Sequence, residues 1–324
     1  MPVCDRPSVV LQPAENAAAD LAHCRAAIHR HSRSFYAASR LLPARVRDAA
    51  VATYAFCRAA DDAVDEAGSA IDARIRHAAV LRRLDRIYRG EPVDTASGRA
   101  FALVVAAARI PREEPEALLA GMAQDLGPVR IADEDALLLY CYRAAGVVGR
   151  MMSRIMGRSD AAALGRAAHL GIAMQLTNIA RDVGEDTTRD RIYLPSGWLA
   201  EAGGSETEVL AARATPAVRR VTLRVLGLAE LYYDSGIAGI GMLPASCRPA
   251  ILSAALLYRA IGRRVAARDG DGVTERARVS GIGKAGLIAV AAVRCAIDPR
   301  LRRRTTRPDA SHLDASLRRT GVLP

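Results

Sequence analysis

Asp61-Asp62-Ala63-Val64-Asp65 is a DDxxD run inside a stretch of helical periodicity. Residues four apart on an α-helix are offset by only about 40°. Asp61 and Asp65 therefore project from one face, one turn apart. Arg58 and Tyr54 continue that face toward the N-terminus, with Val51, Ala55 and Ala59 flanking the polar stripe. Two carboxylates so placed repel each other and weaken the helix unless a cation joins them. Mg²⁺ takes carboxylate oxygens, waters and substrate phosphates, and Arg58 suits a phosphate or a carboxylate. A solvated acidic helix face would carry the same residues, so this run alone does not decide.

A second polar series changes the balance. Asn178, Asp182 and Asp186 are spaced four and four, with Gln175 one turn before them. All four share a face provided the helix continues past Gly184. An Asn carbonyl with two carboxylates is a good oxygen ligand set for Mg²⁺, and Mn²⁺ would accept the same set. Ile172, Leu176, Ile179 and Val183 make this helix largely buried by pattern, and buried carboxylates without a partner are costly. Two such helices facing each other would form a cage for a Mg²⁺–diphosphate cluster.

Helices must carry these residues. Ala, Leu and Arg abound and aromatics are only 4% of the 324 residues, so an all-α class is expected. Periodicity and Gly, Pro or Asp punctuation predict helices over 16–31, 44–66, 71–88, 98–108, 113–125, 134–157, 160–185, 206–236, 247–268 and 284–297. Residues 186–204 read as a long loop, and 269–272 as a turn. No repeat and no convincing linker is visible. One catalytic domain over 1–297 is expected, followed by a basic, poorly ordered tail over 298–324.

The balance of 46 basic and 35 acidic residues gives a net charge of +11, carried almost wholly by Arg, with Lys284 the only lysine. That surface suits anionic partners. Scattered Arg, sparse aromatics and no zinc-finger spacing argue against nucleic acid. Cys4, Cys24, Cys57, Cys141, Cys247 and Cys295 form no CxxC pair and read as small core residues in a reducing compartment. No apolar run reaches the ~18 residues of a membrane span, and no signal peptide is read at the N-terminus. A cytoplasmic protein is expected, with peripheral contact to the inner face of the membrane.

These motifs resemble the phytoene and squalene synthase family, the head-to-head isoprenoid synthases, from about His31 to Lys284. His31-Ser32-Arg33-Ser34-Phe35 is similar to the family's N-terminal flap. The stretch from Tyr54 to Asp65 resembles its first Asp-rich region. Tyr140 to Gly149 resembles a tunnel-lining signature. Gln175 to Asp186, followed by Arg191-Ile192-Tyr193-Leu194-Pro195, resembles the second Asp-rich region and its loop.

The resemblance implies a helical bundle around a central apolar cavity. It implies that Asp61, Asp65, Asn178, Asp182 and Asp186 hold Mg²⁺. His31, Ser32, Arg33, Ser34, Tyr54, Arg58 and Arg181 would contact diphosphates, with Arg276, Arg278 and Lys284 as further contacts. Gln175, Tyr140, Tyr193 and Tyr258 would line the reacting centre. The implied reaction joins two geranylgeranyl diphosphates through a cyclopropyl diphosphate to phytoene, the entry to carotenoid synthesis. No NADPH is expected, because the Arg-Ile-Tyr-Leu-Pro segment and the lack of an anchor resemble the phytoene branch. Two farnesyl diphosphates, giving a thirty-carbon product, are the alternative, and a non-catalytic relative is a remote one. Ala145, Val148 and Gly149 leave room for a long chain, or permit close helix approach.

Overall fold

The computed structural model describes residues 16–302 and 311–321. The expected all-α class holds, and the described strands are two residues long each. The chain parts at Leu126–Gly127 into two compact units, although no linker marks that point in the sequence.

The first unit contains α1 (Ala17–His31), α2 (Arg33–Ser39), α3 (Ala44–Asp65), α4 (Ala70–Arg89), α5 (Ala96–Ala108) and α6 (Glu113–Gln124). Pro43 precedes α3, Ser69 caps α4 through the Asp72 amide at 3.1 Å, and Gly90 ends α4 in the left-handed region at φ 71. Each device satisfies or terminates a helix end that the preceding residues cannot. Phe56 of α3 stacks on Phe101 of α5, with centroids 4.2 Å apart. Asp20 of α1 is buried and meets Arg99 at 2.6 Å. His77 donates from Nε2 to the Leu119 carbonyl at 2.9 Å, tying α4 to α6. These contacts tie together α1, α4, α5 and α6, the helices on which α3 packs. Replacing Phe56 or Phe101 with Ala would cost ~3–5 kcal/mol.

The second unit opens with β1 (Val129–Arg130) and α7 (Glu134–Cys141). A single π-helical turn over Tyr142–Gly146 then leads into α8 (Val147–Ile155). The sequence pattern had joined all three into one helix. Next come α9 (Ala161–Arg181), α10 (Val183–Thr187), β2 (Arg191–Ile192), α11 (Ser196–Glu201), α12 (Glu206–Leu210) and α13 (Pro216–Gly239). The expected 206–236 helix is divided, because Pro216 occupies the first turn of α13 under a Thr215 cap. β1 and β2 pair in parallel, Val129 with Arg191 and Arg130 with Ile192. α14 (Arg248–Ala266), α15 (Gly281–Ile297), α16 (Pro299–Arg302) and α17 (Ser311–Arg319) complete the unit.

Its core is α9 packed on α13 and on the α7–α8 segment. Glycines let these backbones approach. A Cβ on Gly149 would lie 2.2 Å from the Ala167 carbonyl oxygen, and one on Gly171 would lie 2.3 Å from that of Ala145. Gly149 thus serves close helix approach, the second of the two roles open to it in the sequence.

The tail departs from the expectation of poor order where it is described. Leu313 and Leu317 are one turn apart on α17, and both are buried. Asp314 reaches His169 Nε2 at 2.9 Å, and the Leu313 carbonyl accepts from the Tyr232 hydroxyl at 3.1 Å. Arg319 pairs with Asp135 at 2.7 Å. Two leucines on one helix face outweigh the basic composition that pointed to solvent. Cys24, Cys57, Cys141, Cys247 and Cys295 are free thiols, and Cys4 lies outside the described residues. Among the described residues, no helix is long and apolar enough to cross a membrane.

Candidate active site

The first acidic stretch lies on the last two turns of α3, as its spacing predicts. Arg58 donates from Nη1 to Asp61 at 2.8 Å and pairs through Nη2 with Asp62. One guanidinium thus neutralises two carboxylates, three and four residues along the same helix. Asp65 adds a further charge one turn beyond Asp61. Burial, and then the Asp65 charge, push the Asp61 carboxyl up to about 6. A bound cation would remove that penalty, since an opposite charge favours the ionised form. Cys57 is no nucleophile here. Burial and the Asp61 charge push its thiol up to about 12.

The flap-like segment sits beside this stripe. His31 ends α1 and is exposed. Ser32 is extended, and its hydroxyl caps α2 by accepting from the Phe35 amide at 3.3 Å. Arg33 and Ser34 form the first turn of α2; their side chains lie outside the described part. The Phe35 ring lies 6.2 Å from the Tyr54 ring, so α2 is brought against the polar face of α3.

In the second unit the acidic series is not one continuous helix, which corrects the expectation for 160–185. α9 ends at Arg181, Asp182 takes φ −107 and ψ 15, and α10 restarts at Val183. The cause is tertiary. The 269–279 loop presses its backbone onto the joint, and the Gly184 amide donates to the Gly272 carbonyl at 3.2 Å. A Cβ on Gly272 would meet the Ala180 oxygen at 2.0 Å, and one on Gly184 would meet the Val273 oxygen at 2.4 Å. Asp271 holds the loop by accepting from the Val273 and Thr274 amides and from Arg219. The one-turn spacing survives the break. The Asp182 amide still donates to the Asn178 carbonyl at 2.9 Å, and the Asp186 amide to that of Asp182 at 2.8 Å.

Around this joint the structure gathers Gln175, Asn178, Arg181, Asp182, Tyr258 and Arg276. Asn178 donates to Gln175 Oε1 at 3.3 Å, while its own Oδ1 is buried and has no hydrogen-bond partner. Asp182 is gripped by Arg181, at 2.7 Å from Nε, and by Arg276, at 2.9 Å from Nε. Arg276 also reaches Glu185 at 3.0 Å. Burial pushes the Tyr258 phenol up, and the nearby Arg181 opposes that shift. Asp186 lies on α10, half-buried.

Elsewhere in the same unit, Tyr140 and Tyr193 stack with centroids 4.7 Å apart, at the point where the β1–β2 pairing returns the chain to α7. Arg278 is exposed, and Lys284 lies on the first turn of α15. Sequence reasoning passed over Asp62, Glu185 and Gly272. Asp62 was legible as an i, i+4 partner of Arg58; the other two act through a loop whose docking no local pattern reveals.

Among the described residues, no three His, Cys, Asp or Glu side chains converge on a metal-sized point. Guanidiniums hold the carboxylates instead. The donor chemistry still fits an oxygen-seeking divalent cation. An orphaned buried carbonyl oxygen on Asn178 needs a partner, and a raised carboxyl on Asp61 needs a positive charge. Arginines parked on Asp61, Asp62 and Asp182 can turn to phosphate oxygens, for which their planar fork is suited. Each acidic stretch can thus exchange guanidinium–carboxylate pairs for guanidinium–phosphate and cation–carboxylate pairs.

The sequence profile described as squalene/phytoene synthase matches residues 28–282. The chain belongs to the squalene/phytoene synthase family. Family membership brings an enzyme class, prenyl transfer, and a helical isoprenoid-synthase fold. A phytoene synthase of Rhodobacter capsulatus is 43% identical, covering 94% of this chain and 91% of its own. One from Cereibacter sphaeroides is 45% identical, covering 87% and 82%. The crystal structure of a dehydrosqualene synthase in complex with a ligand superposes with a TM-score of 0.78 at 29% identity, covering 87% of this chain and 98% of that one. Both acidic stretches lie inside the part that the family profile matches.

Proposed function

We propose that this family member is a phytoene-forming enzyme that joins two geranylgeranyl diphosphates head to head. The 43% identity to a phytoene synthase across 94% of the chain carries this reading. The first step breaks the allylic carbon–oxygen bond of one substrate and leaves an allylic cation and a diphosphate. The double bond of the second substrate attacks that cation and loses a proton, giving a cyclopropyl diphosphate. Loss of the second diphosphate, rearrangement and loss of a final proton give the central triene.

The chain's residues supply charge and shape for these steps. Arg58, Arg181 and Arg276 bind diphosphate oxygens and stabilise the negative charge that grows as each bond breaks. Asp61, Asp65, Asn178, Asp182 and Asp186 would hold Mg²⁺, for which Mn²⁺ could substitute. Bound Mg²⁺ supplies further neutralisation of the leaving diphosphate. The Tyr140–Tyr193 stack offers π-faces that favour a passing cation. The apolar cavity that the family resemblance implies would keep water from quenching it. A released diphosphate or a tyrosine hydroxyl takes the last proton. The protein works at the inner face of the membrane, where its long-chain substrates and product reside, and it needs neither NADPH nor a nucleic acid.

The test is a product assay. Purified protein receives geranylgeranyl or farnesyl diphosphate with Mg²⁺ and detergent, with and without NADPH, and the hydrocarbon is identified by mass. A forty-carbon triene without NADPH is expected. A thirty-carbon product would move the protein to the second reading, two farnesyl diphosphates, which the likeness to a dehydrosqualene synthase favours.

A further inference from the structure

α15 buries only one of its residues, Ala291. Its outer face is apolar and open to solvent. Ile282 is 88% exposed, Ile297 68%, Val293 54% and Val290 47%. Ala285, Gly286, Ala289, Ala292 and Ala296 fill the positions between them and are exposed as well. At 100° per residue these nine positions cover an arc of about 160° with no charged or hydrogen-bonding side chain. The helix packs through its other side on α14. Such a continuous apolar face on an ordered helix marks an interaction surface.

The charge around it selects the partner. From Arg276 to Ile297 the sequence has no acidic residue; exposed Arg278 precedes the helix and Arg294 lies about 40° beyond one edge of the arc. Immediately after, the sequence from 298 to 307 holds five arginines and one acid, Asp298. Asp298 lies 3.9 Å from Arg294, a loose pairing that leaves the guanidinium free for another anion. A second copy of this chain would bring the two sets of cations together, and like charges disfavour that pairing. An anionic lipid surface complements both the apolar arc and the cations near it. At roughly 1.5 Å per residue, a 17-residue helix is too short for a ~30 Å hydrocarbon layer, so it would lie in the interface.

We propose that the outer face of α15 is the surface by which this protein docks on an anionic membrane, the apolar arc entering the headgroup boundary and the flanking cations meeting lipid phosphates. This deepens the membrane reading above and rests on it.

The test uses the full chain without substrate, co-sedimented at low salt with vesicles of phosphatidylcholine alone or mixed with phosphatidylglycerol. The wild type is expected to pellet with the mixed vesicles and far less with the neutral ones. The double variant Ile282→Glu/Val293→Glu should lose about tenfold or more in partition, from two lost apolar insertions. Its turnover of detergent-dispersed substrate should stay at the wild-type level. Wild type that stays in the supernatant, or a variant that pellets equally, overturns the proposal. So does a wild-type dimer in sedimentation velocity that the double variant splits while vesicle binding is unchanged. Vesicle binding needs no catalysis, so a failed product assay and a failed docking surface are separate results.

Discussion

The two acidic stretches solve the same problem in different ways. On α3, Asp61 and Asp62 are stabilised from within their own helix, by Arg58 at three and four residues' distance. At the α9–α10 joint, Asp182 is stabilised by its neighbour Arg181 and by Arg276, 94 residues away in sequence. One stretch is a local design in an unbroken helix. The other is a local series that a distant loop has bent and charged. Both leave carboxylates in guanidinium custody, but only the second depends on tertiary structure for its geometry. Substitutions should therefore act differently on the two.

The largest effect is shared. Asp61→Ala and Asp182→Ala should each lower turnover by ~10³-fold or more, because each removes a carboxylate proposed to hold the cation that meets the leaving group. Circular dichroism and thermal melts should show a folded protein in both cases. Near-normal rates in either would break the assignment of that stretch to Mg²⁺.

Gly272→Ala separates the two regions. Its Cβ would drive into the Ala180 oxygen, so the joint must shift. A stability loss of ~1–3 kcal/mol is expected by chemical denaturation, with turnover down by ~10²-fold from misplaced ligands. Among the described residues no glycine presses on α3 in this way, so the exposed Ala59→Ser beside Asp61 should change turnover less than about twofold, within the small range expected of surface substitutions.

Arg276→Ala sharpens the comparison further. It should raise the substrate KM by about tenfold, the worth of one charge-assisted contact, while leaving the melting temperature nearly unchanged. A loss of stability in place of a KM effect would make Arg276 a structural counter-ion only.

The smallest effect concerns pH. Asp61 in the native protein titrates at about 6, above its ordinary 3.8. The folded state therefore binds more protons than the unfolded state between those values, and this group's contribution to stability falls as pH rises through that window. Asp61→Asn should remove this slope and stabilise the metal-free protein by ~0.5 kcal/mol at neutral pH, through relief of like-charge repulsion. Melting curves at pH 5 and pH 7, with and without Mg²⁺, read it directly. Mg²⁺ should abolish the difference in the wild type and do little in the variant.

What the sequence made legible follows the same division. Helix existence, the α3 stripe and the burial of Ile172, Leu176, Ile179 and Val183 depend on neighbours within a turn or two, and spacing reveals them. The break at Asp182 was invisible, because its cause lies in Gly272 and the loop around it. α2 was missed because its seven residues are too few to show a period. Pro216 did signal the division of the 206–236 helix, but the apolar periodicity on both sides masked it. The π-turn at Tyr142–Gly146 arises where the α7–α8 segment presses on α9, again a tertiary demand. In α17 two buried leucines were hidden by the surrounding arginines. The one-turn spacing of the candidate ligands was readable, whereas the arginine that pairs with Asp182 across the fold was not.

The span between Asp182 and Arg276 also sets an order of assembly. The α3 stripe needs only helix propagation, which takes about a microsecond. The α9–α10 joint cannot take its bend until the long intervening chain has closed and the 269–279 loop has docked. Closing so long a span carries an entropic cost that grows only slowly with its length, yet such distant contacts are the ones that slow folding. During refolding, protection of the Gly184 amide, which donates to the Gly272 carbonyl, should therefore appear well after that of the α3 amides. It would then time the moment at which the enzyme becomes competent.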